Sequence, residues 1–302
     1  MSPALPILCL LFAATPTFET SFVRVRPAKE AGPWWNTSAK TRAVVLIHGL
    51  LIHPFSKENV SRPRLHAWQK PDCLLVKRLT QDSDVFAFSY AQTVSADDIA
   101  ECPELAKQVR RLRQAGYREV VLIGHSAGGV IARQFVEDHP DCGVTKVIQV
   151  CAPNAGSGWA KWQTVRANQI DFLESLTKPA RRRSLSQRAD KEIPAHIEFA
   201  CVVGTGTVVG DGMVSNRSQY PPGLQKQGIP AYPFKSTHWR VLRSKKGVEL
   251  VARLVREAQP RWDEKQVAAN LKTERLSRTT HRYSVGRGRS GRKARSARCA
   301  RT

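Results

Sequence analysis

Short apolar segments alternate with segments of helical periodicity along most of the chain, and this alternation limits the fold more than any other feature. Apolar runs of this kind suit strands that are buried on both faces. Strands that alternate with helices form a mostly parallel sheet with helices on both sides. The sequence therefore predicts an α/β fold. The expected strands are Ala43–His48, Asp84–Phe88, Glu119–Ile123, Lys146–Cys151, Ile197–Val203 and Ile229–Phe234.

Helix signals fall between these strands. Ser95 and Asp98 have the spacing of a helix N-terminal cap, and Gly116 suits the end of the same helix. Further helices are expected at Asp72–Leu79, Val130–Asp138 and Lys246–Ala258.

The segment 152–196, between the fourth and fifth strands, is too long for a plain crossover. Because sites in parallel sheets lie at the carboxyl ends of the strands, we expect this insertion to form a lid there. Within it, Trp162–Leu176 is expected to be helical and Arg181–Arg183 to be exposed.

The segment Gly124-His-Ser-Ala-Gly-Gly129 joins an expected strand to an expected helix. A serine in such a sharp turn needs neighbours without side chains, which Gly124 and Gly128 supply. The turn lifts the Ser126 hydroxyl above the sheet and places the Ala127 amide at a helix N-terminus. Ser126 is therefore the predicted nucleophile.

A serine hydroxyl is a weak nucleophile and needs a histidine base, whose tautomer a carboxylate must hold. Downstream of Ser126, Asp211 lies between two glycines after the fifth expected strand, and His238 lies just after the sixth. This order of serine, acid and histidine makes Asp211 the predicted acid and His238 the predicted base. The alternatives are Asp171 or Asp190 as the acid and His196 or His139 as the base.

Five segments together resemble the α/β-hydrolase family, in particular its lipase-like and esterase branch, over residues 42–258. LIHGLL (46–51) is similar to the family's oxyanion loop, and IGHSAGG to its nucleophile elbow. VCAPNAGSGWA (150–160) is similar to the segment after the next strand, with Ala-Pro-Asn where lipases often have Thr-Pro-His. GDGMVS (210–215) and STHW (236–239) are similar to the acid turn and the histidine loop.

The resemblance implies an α/β-hydrolase fold and an enzyme that cleaves carboxylic esters through an acyl-enzyme. Acyl transfer also needs donors for the oxyanion, expected from the backbone amides of Leu50 and Ala127, with Gly49 allowing close approach. This chemistry requires no metal ion and no organic cofactor. Two alternatives remain: an acyltransferase or amidase that uses the same triad, and a non-catalytic binding module on this scaffold.

Charge is the unusual feature of the composition, with 48 Lys and Arg against 25 Asp and Glu. Eleven of these cations fall in the last 32 residues, which contain one Glu and few aliphatic side chains. We expect 261–302 to be a disordered basic tail, either an arm for an anionic surface or polymer or simply a solvated terminus. No phosphate-binding glycine motif occurs and no specific nucleic-acid partner is expected, so the expected partner is an ester or lipid-like substrate.

The N-terminal segment 1–40 is interpreted as a leader and lead-in to a hydrolase domain at 41–260. Its apolar run has the length of a signal-peptide core but lacks a preceding Lys or Arg, so export and a cytoplasmic location both remain open. Seven cysteines show no metal-binding spacing, which favours buried thiols.

Overall fold

A computed structural model describes residues 18–26, 40–51, 60–161, 167–208 and 210–272. Its centre is a seven-stranded sheet in the order β1-β3-β2-β4-β5-β6-β7, in which only β1 runs antiparallel to its neighbour. The strands are β1 Thr20–Val25, β2 Arg42–Ile47, β3 Asp84–Tyr90, β4 Glu119–His125, β5 Lys146–Val150, β6 Glu198–Gly204 and β7 Ala231–Phe234. The predicted α/β fold is confirmed.

Helices cover both faces of this sheet. They are α1 Leu74–Leu79, α2 Ala96–Glu101, α3 Pro103–Gln114, α4 Ala127–Asp138, α5 Ile170–Ser175, α6 Lys178–Gln187, α7 Asn216–Gln219, α8 Pro222–Lys226, α9 Lys245–Arg256 and α10 264–272. Side chains of a strand point alternately to its two faces. Val44 and Leu46 therefore join the apolar cluster under α1 and α9, while Val45 and Ile47 join the cluster under α2, α3 and α4.

The edge strand β1 differs from the sequence analysis, which placed Thr20–Val25 in the lead-in. Phe22 stacks on Phe86 at 5.4 Å, and Arg24 forms an ion pair with the buried Asp84 of β3. Only half-buried, β1 lacks the continuous apolar run that identifies the central strands. The remainder of the predicted leader, 1–17 and 27–39, lies outside the described residues.

The helix expected from Ser95 to Gly116 is two helices. The cap is present, because Ser95 Oγ accepts from the Asp98 amide at 3.0 Å and the Asp98 carboxylate accepts from the Ser95 amide. The break falls at Cys102, directly before Pro103, because proline disfavours helical geometry in the residue that precedes it.

The insertion after β5 contains α5 and α6, and it is fastened to the body by an ion pair between a buried arginine and a partly exposed aspartate. Arg181 was expected to be exposed, yet its side chain is 2% exposed and donates to both carboxylate oxygens of Asp97 at 3.1 and 3.3 Å. Ser184 and Gln134 donate to the same carboxylate. The prediction for Arg181 is wrong because burial depended on a partner 84 residues away.

The first part of the predicted disordered tail is ordered. The backbone of Trp262 bonds to that of Gly228, its ring packs on Tyr232, and Asn270 of α10 donates to the Ala231 carbonyl at 2.6 Å. The residues 273–302 lie outside the described part of the chain. In the described part, no helix has the length and apolarity to cross a bilayer, and Cys73, Cys102, Cys142, Cys151 and Cys201 are free thiols.

We expect Asp97→Ala to lower the free energy of unfolding by about 2–3 kcal/mol, because Arg181 would keep its buried charge without a counter-ion. Glu101→Ala, at an exposed position on the same helix, should change the free energy of unfolding by less than about 0.5 kcal/mol.

Burial acts to raise the pKa of Asp97, but Arg181, Gln134 and Ser184 outweigh it and hold the pKa below its usual value.

Because the folded-state pKa of Asp97 is depressed, its contribution is complete above about pH 5 and is lost as the pH falls below about 4. Urea titrations of both variants at pH 7 and at pH 3.5 measure this. Equal losses in Asp97→Ala and Glu101→Ala at pH 7 would show that the ion pair stabilises nothing.

Candidate active site

The turn at Ser126 is held by close backbone contacts that only glycine permits. Ser126 lies between β4 and α4 with φ 56° and ψ −127°, a strained conformation for a residue with a side chain. A Cβ atom at Gly124 would lie 2.3 Å from the Gly128 carbonyl oxygen, and one at Gly128 would lie 2.2 Å from the Ile47 carbonyl oxygen. The predicted spacing of glycines around the serine therefore has a steric reason.

The loop after β2 passes directly over Ser126. A Cβ atom at Gly49 would lie 2.5 Å from Ser126 Cβ and 3.1 Å from Ser126 Oγ. Ser126 is 8% exposed, so its hydroxyl lies in a narrow opening rather than on an open surface.

Asp211 and His238 meet as the chain order predicted. His238 Nδ1 and Asp211 Oδ2 are 2.7 Å apart, and both side chains are almost fully buried. The other carboxylate oxygen of Asp211 accepts from the amides of Met213 at 2.9 Å and Val214 at 2.8 Å. Burial acts to raise the pKa of Asp211, but the hydrogen bond and charge of His238 and these amides hold the pKa below its usual value. Asp211 is therefore a carboxylate at neutral pH.

Hydrogen bonds of Gln219 and a close backbone contact at Gly206 support the Asp211–His238 pair. Gln219 of α7 accepts from the Gly204 amide at 2.7 Å and donates to the carbonyls of Gly204 and Val214 at 3.1 and 2.9 Å. It thereby ties the end of β6 to the turn that carries Asp211. Gly206 lies against the backbone of Ser236, and the His238 amide donates to the Asp211 carbonyl at 2.9 Å.

His125 connects the nucleophile turn with the histidine loop. Its Nε2 atom lies 3.0 Å from the His238 carbonyl oxygen, and the two rings are 4.9 Å apart. Burial lowers the pKa of His125 well below its usual value, which keeps this ring neutral and suits a packing residue. Within the described part of the chain, the Ser126 hydroxyl makes no hydrogen bond, and His238 Nδ1 bonds to Asp211. Catalytic hydrogen bonds are often long or poorly aligned before a substrate binds.

The peptide between Gly49 and Leu50 has a fixed orientation. Its carbonyl oxygen lies 2.7 Å from His48 Nδ1 and accepts from Gln92 Nε2 at 2.9 Å. Gln92 Oε1 also accepts from the Leu51 amide at 3.1 Å. Because the N–H of a trans peptide points opposite to its C=O, these contacts aim the Leu50 amide away from Gln92.

His48 is buried and neutral. Burial lowers its pKa to about 4, despite the hydrogen bond to Gly49 that acts to raise it. Since a carbonyl oxygen can only accept, Nδ1 carries the proton. Tyr90 stacks on the ring at 4.3 Å and donates to the His48 carbonyl.

Cys151 is the second non-glycine residue with positive φ in the described chain, at 55°. Its sulfur and the nearest ligand atoms of Asp211 and His238 all lie within 4.8 Å of one another. Cysteine, aspartate and histidine are donors that Zn²⁺ accepts. Here, however, the imidazole and the carboxylate are already bonded to each other, and burial together with the Asp211 charge raises the pKa of the thiol well above its usual value.

The alternative acids and bases lie elsewhere. Asp171 and Asp190 are exposed in the insertion, and no contact joins either to His238 within the described residues. His139 bonds to the Phe135 carbonyl and His196 to the Pro140 carbonyl, at the opposite end of the sheet.

Sequence reasoning missed three residues of this site: Gln92, Gln219 and Cys151. The sequence contained only weak indications that these residues belong to the site. Gln92 comes shortly after a predicted strand and Cys151 is the last residue of another, and functional side chains collect at these carboxyl ends in parallel sheets. Gln219 lies in a loop region with no pattern that marks it.

A family model described as "Domain of unknown function (DUF7379)" matches residues 14–204. The chain belongs to this family. The match contains the nucleophile turn and Gln92 and ends at the last residue of β6, before Asp211 and His238. No curated protein matches the sequence.

Solved structures show the same fold at low sequence identity. The mature lipase BlEst2 of Bacillus licheniformis is 16% identical with a TM-score of 0.57, over 78% of this chain and 98% of the lipase. Phospholipase PlaB of Legionella pneumophila is 14% identical with a TM-score of 0.55, over 82% of this chain and 65% of PlaB. Lipase B of Aspergillus fumigatus is 13% identical with a TM-score of 0.54, over 88% of this chain and 64% of that lipase. The fold is therefore that of the lipase and esterase-like α/β-hydrolases, as the sequence motifs predicted.

We expect Gly128→Ala to destabilise the fold by about 3 kcal/mol, the upper end of the usual cost of overpacking. The added methyl group would meet backbone atoms of Ile47 and His48, which cannot rotate away as a side chain can. Gly223→Ala is the matched control, because no atom lies within 4 Å of its Cβ position, and it should change stability by less than about 1 kcal/mol. Thermal denaturation measures both; equal melting temperatures would contradict the close approach at Gly128.

Proposed function

We propose that the protein is a serine hydrolase that cleaves carboxylic esters. The observation that carries this proposal is the 2.7 Å contact of His238 Nδ1 with Asp211, at the same edge of the sheet as the strained Ser126 turn. A buried carboxylate beside a histidine, near a serine in a strand–helix elbow, is the arrangement that acyl transfer requires.

In this mechanism Ser126 Oγ attacks the ester carbonyl carbon while His238 Nε2 takes the hydroxyl proton. Asp211 holds the Nδ1–H tautomer and offsets the charge of the imidazolium. Collapse of the tetrahedral intermediate breaks the C–O bond of the ester, and His238 returns the proton to the leaving alcohol. Water, deprotonated by the same histidine, then releases the acid from Ser126.

The oxyanion is bound by the amides of Ala127 and Leu50. Ala127 is the first residue of α4, so its N–H belongs to the unpaired donors of a helix N-terminus. Leu50 lies next to Gly49, which contacts Ser126. Neither amide donates to another residue in the described chain, so both remain available to the oxyanion.

The substrate class follows from the surroundings of Ser126 and from the structural neighbours. BlEst2 and the Aspergillus protein are named as lipases and PlaB as a phospholipase. Leu51 and Phe172 are buried near the oxyanion loop, and Trp159 is 50% exposed in the insertion. These apolar side chains favour an ester with an apolar acyl group.

We expect Ser126→Ala to abolish hydrolysis of p-nitrophenyl esters and labelling by a fluorophosphonate probe, while the fold remains. Asp211→Asn should lower kcat by about 10⁴-fold, because the amide stabilises the wrong imidazole tautomer. A panel of esters of rising acyl length, with wild type and both variants, gives kcat and KM. Unchanged turnover by Ser126→Ala would end the proposal. Product analysis with an added alcohol separates hydrolysis from acyl transfer.

We expect Gln92→Met to lower kcat about 10-fold with little change in KM. Complete loss of an oxyanion donor costs about 10²–10³-fold in kcat. The effect should be smaller here, because the Leu50 amide would still be present and only the orientation of the Gly49–Leu50 peptide would be less fixed. Gln169→Met is the matched control: it removes contacts of the insertion with Gln92 and Leu51 but leaves both Gln92 bonds to the loop. A change in KM alone, or equal kcat values for the two variants, would show that Gln92 does not orient the Leu50 amide.

A further inference from the structure

A cavity of about 580 Å³ lies away from Ser126, and most of the charged side chains that line it are positive. Its lining contains the cationic side chains of Arg133, Arg188, Lys191, Lys226 and Arg261, against the single acidic side chain of Glu192. Single cations on a surface are ordinary. Five that converge on one concave volume raise the local potential for an anion.

The cavity lies at the other end of the sheet from the candidate active site. Ile193 and Gln227 line it and come shortly before β6 and β7, so it lies beside the amino ends of these strands. Ser126, Asp211 and His238 all follow the carboxyl ends of strands. A ligand in this cavity therefore does not touch the candidate active site.

Acidic partners fix part of this cationic set in place without neutralising all of it. Glu137 accepts from Arg133 at 2.6 Å and from Arg188 at 3.1 Å, and Asp138 pairs with Arg188 and Lys191. With Glu192, three carboxylates face five cations, which leaves a net positive charge around the cavity. The positions of these side chains are set before any ligand arrives.

Two of the guanidinium groups keep unused donors. Arg133 is 7% exposed and Arg261 is half-buried, and Nη1 of each is sealed from solvent without a hydrogen-bond partner in the described chain. Arg261 otherwise donates through Nη2 to the uncharged carbonyls of Ile193 and Pro194. Burial lowers the pKa of Arg261, only partly offset by Glu192, so its charge is poorly compensated. Buried donors without partners are rare, and an ion or water commonly meets them.

We propose that this cavity binds a multivalent phosphate group. Guanidinium groups bind phosphate oxygens through paired N–H donors, and small rotations would bring the sealed Nη1 atoms of Arg133 and Arg261 to a ligand. The volume falls within the range of small-molecule sites and exceeds what one inorganic phosphate fills, so the ligand carries two linked phosphates or a phosphate with an attached group. This site does not depend on the proposed ester hydrolysis.

Titration calorimetry of the full chain with inorganic pyrophosphate, at constant ionic strength, tests the proposal. We expect one saturable site per chain and a higher melting temperature in its presence. Arg261→Gln should weaken binding at least about 10-fold and Lys226→Gln about 3-fold, because each removes one charge from the cavity. Lys226 is exposed at its surface, so Lys226→Gln tests the site even where Arg261→Gln fails to fold.

Arg110→Gln is the matched control, an exposed cation on α3 outside the cavity, and it should bind like wild type. Ser126→Ala should also bind like wild type, which separates this site from the candidate active site. Equal affinity in all variants would overturn the proposal. So would a repeat at higher ionic strength in which added salt abolishes binding to the same extent in every variant. Vesicles that contain phosphatidic acid, whose headgroup is a phosphate monoester, replace pyrophosphate to identify the source of the phosphate: a cavity-dependent interaction with vesicles alone indicates a lipid headgroup.

Discussion

Three segments of the chain meet at Ser126 at distances that leave no room for side chains, and the rest of the site is arranged around that meeting. Gly49, Gly124 and Gly128 bring the loop after β2, the end of β4 and the start of α4 into backbone contact. This packing holds Ser126 in a conformation that costs on the order of 1–3 kcal/mol. The close approach also places the Gly49–Leu50 peptide beside the hydroxyl. Ser126 and the loop after β2 are therefore parts of one backbone contact.

The two residues proposed as acid and base are positioned by separate contacts. Asp211 and His238 lie on loops, and their relative position depends on backbone bonds between those loops and on Gln219, which bridges Gly204 and Val214. Buried amides directed at the Asp211 carboxylate replace the water that would otherwise solvate it. The imidazole of His238 therefore has a bonded partner at Nδ1.

The sequence predicted those elements whose formation depends on residues close together in the chain. Apolar runs identified the six strands β2 to β7, and the glycine spacing around Ser126 and Asp211 identified turns that only glycine permits. The sequence did not reveal β1, which is half-buried, the buried position of Arg181, or the contacts of Gln92 and Gln219. Arg181 and Gln92 bond to partners far away in the chain, and β1 lies at the sheet edge. Gln219 has nearer partners, but no sequence pattern marks it. The spacing of residues in the sequence does not show which side chains become neighbours in the fold. That becomes clear only when the order of the strands in the sheet is known.

The insertion after β5 was expected to act as a lid, but its described part is fastened to the body at two points. Arg181 forms the ion pair with Asp97, and Gln169 donates to Gln92 and to the Leu51 carbonyl. Swinging 167–187 away as a unit would break these contacts, which contribute about 0.5–1.5 kcal/mol each, or about 1.5–3 kcal/mol where a charged group takes part. Opening would therefore cost at least about 3 kcal/mol, and less than about 1% of the molecules would be open at equilibrium. The described insertion therefore acts as a wall beside the loop after β2, and it joins that loop to α2 through side-chain contacts.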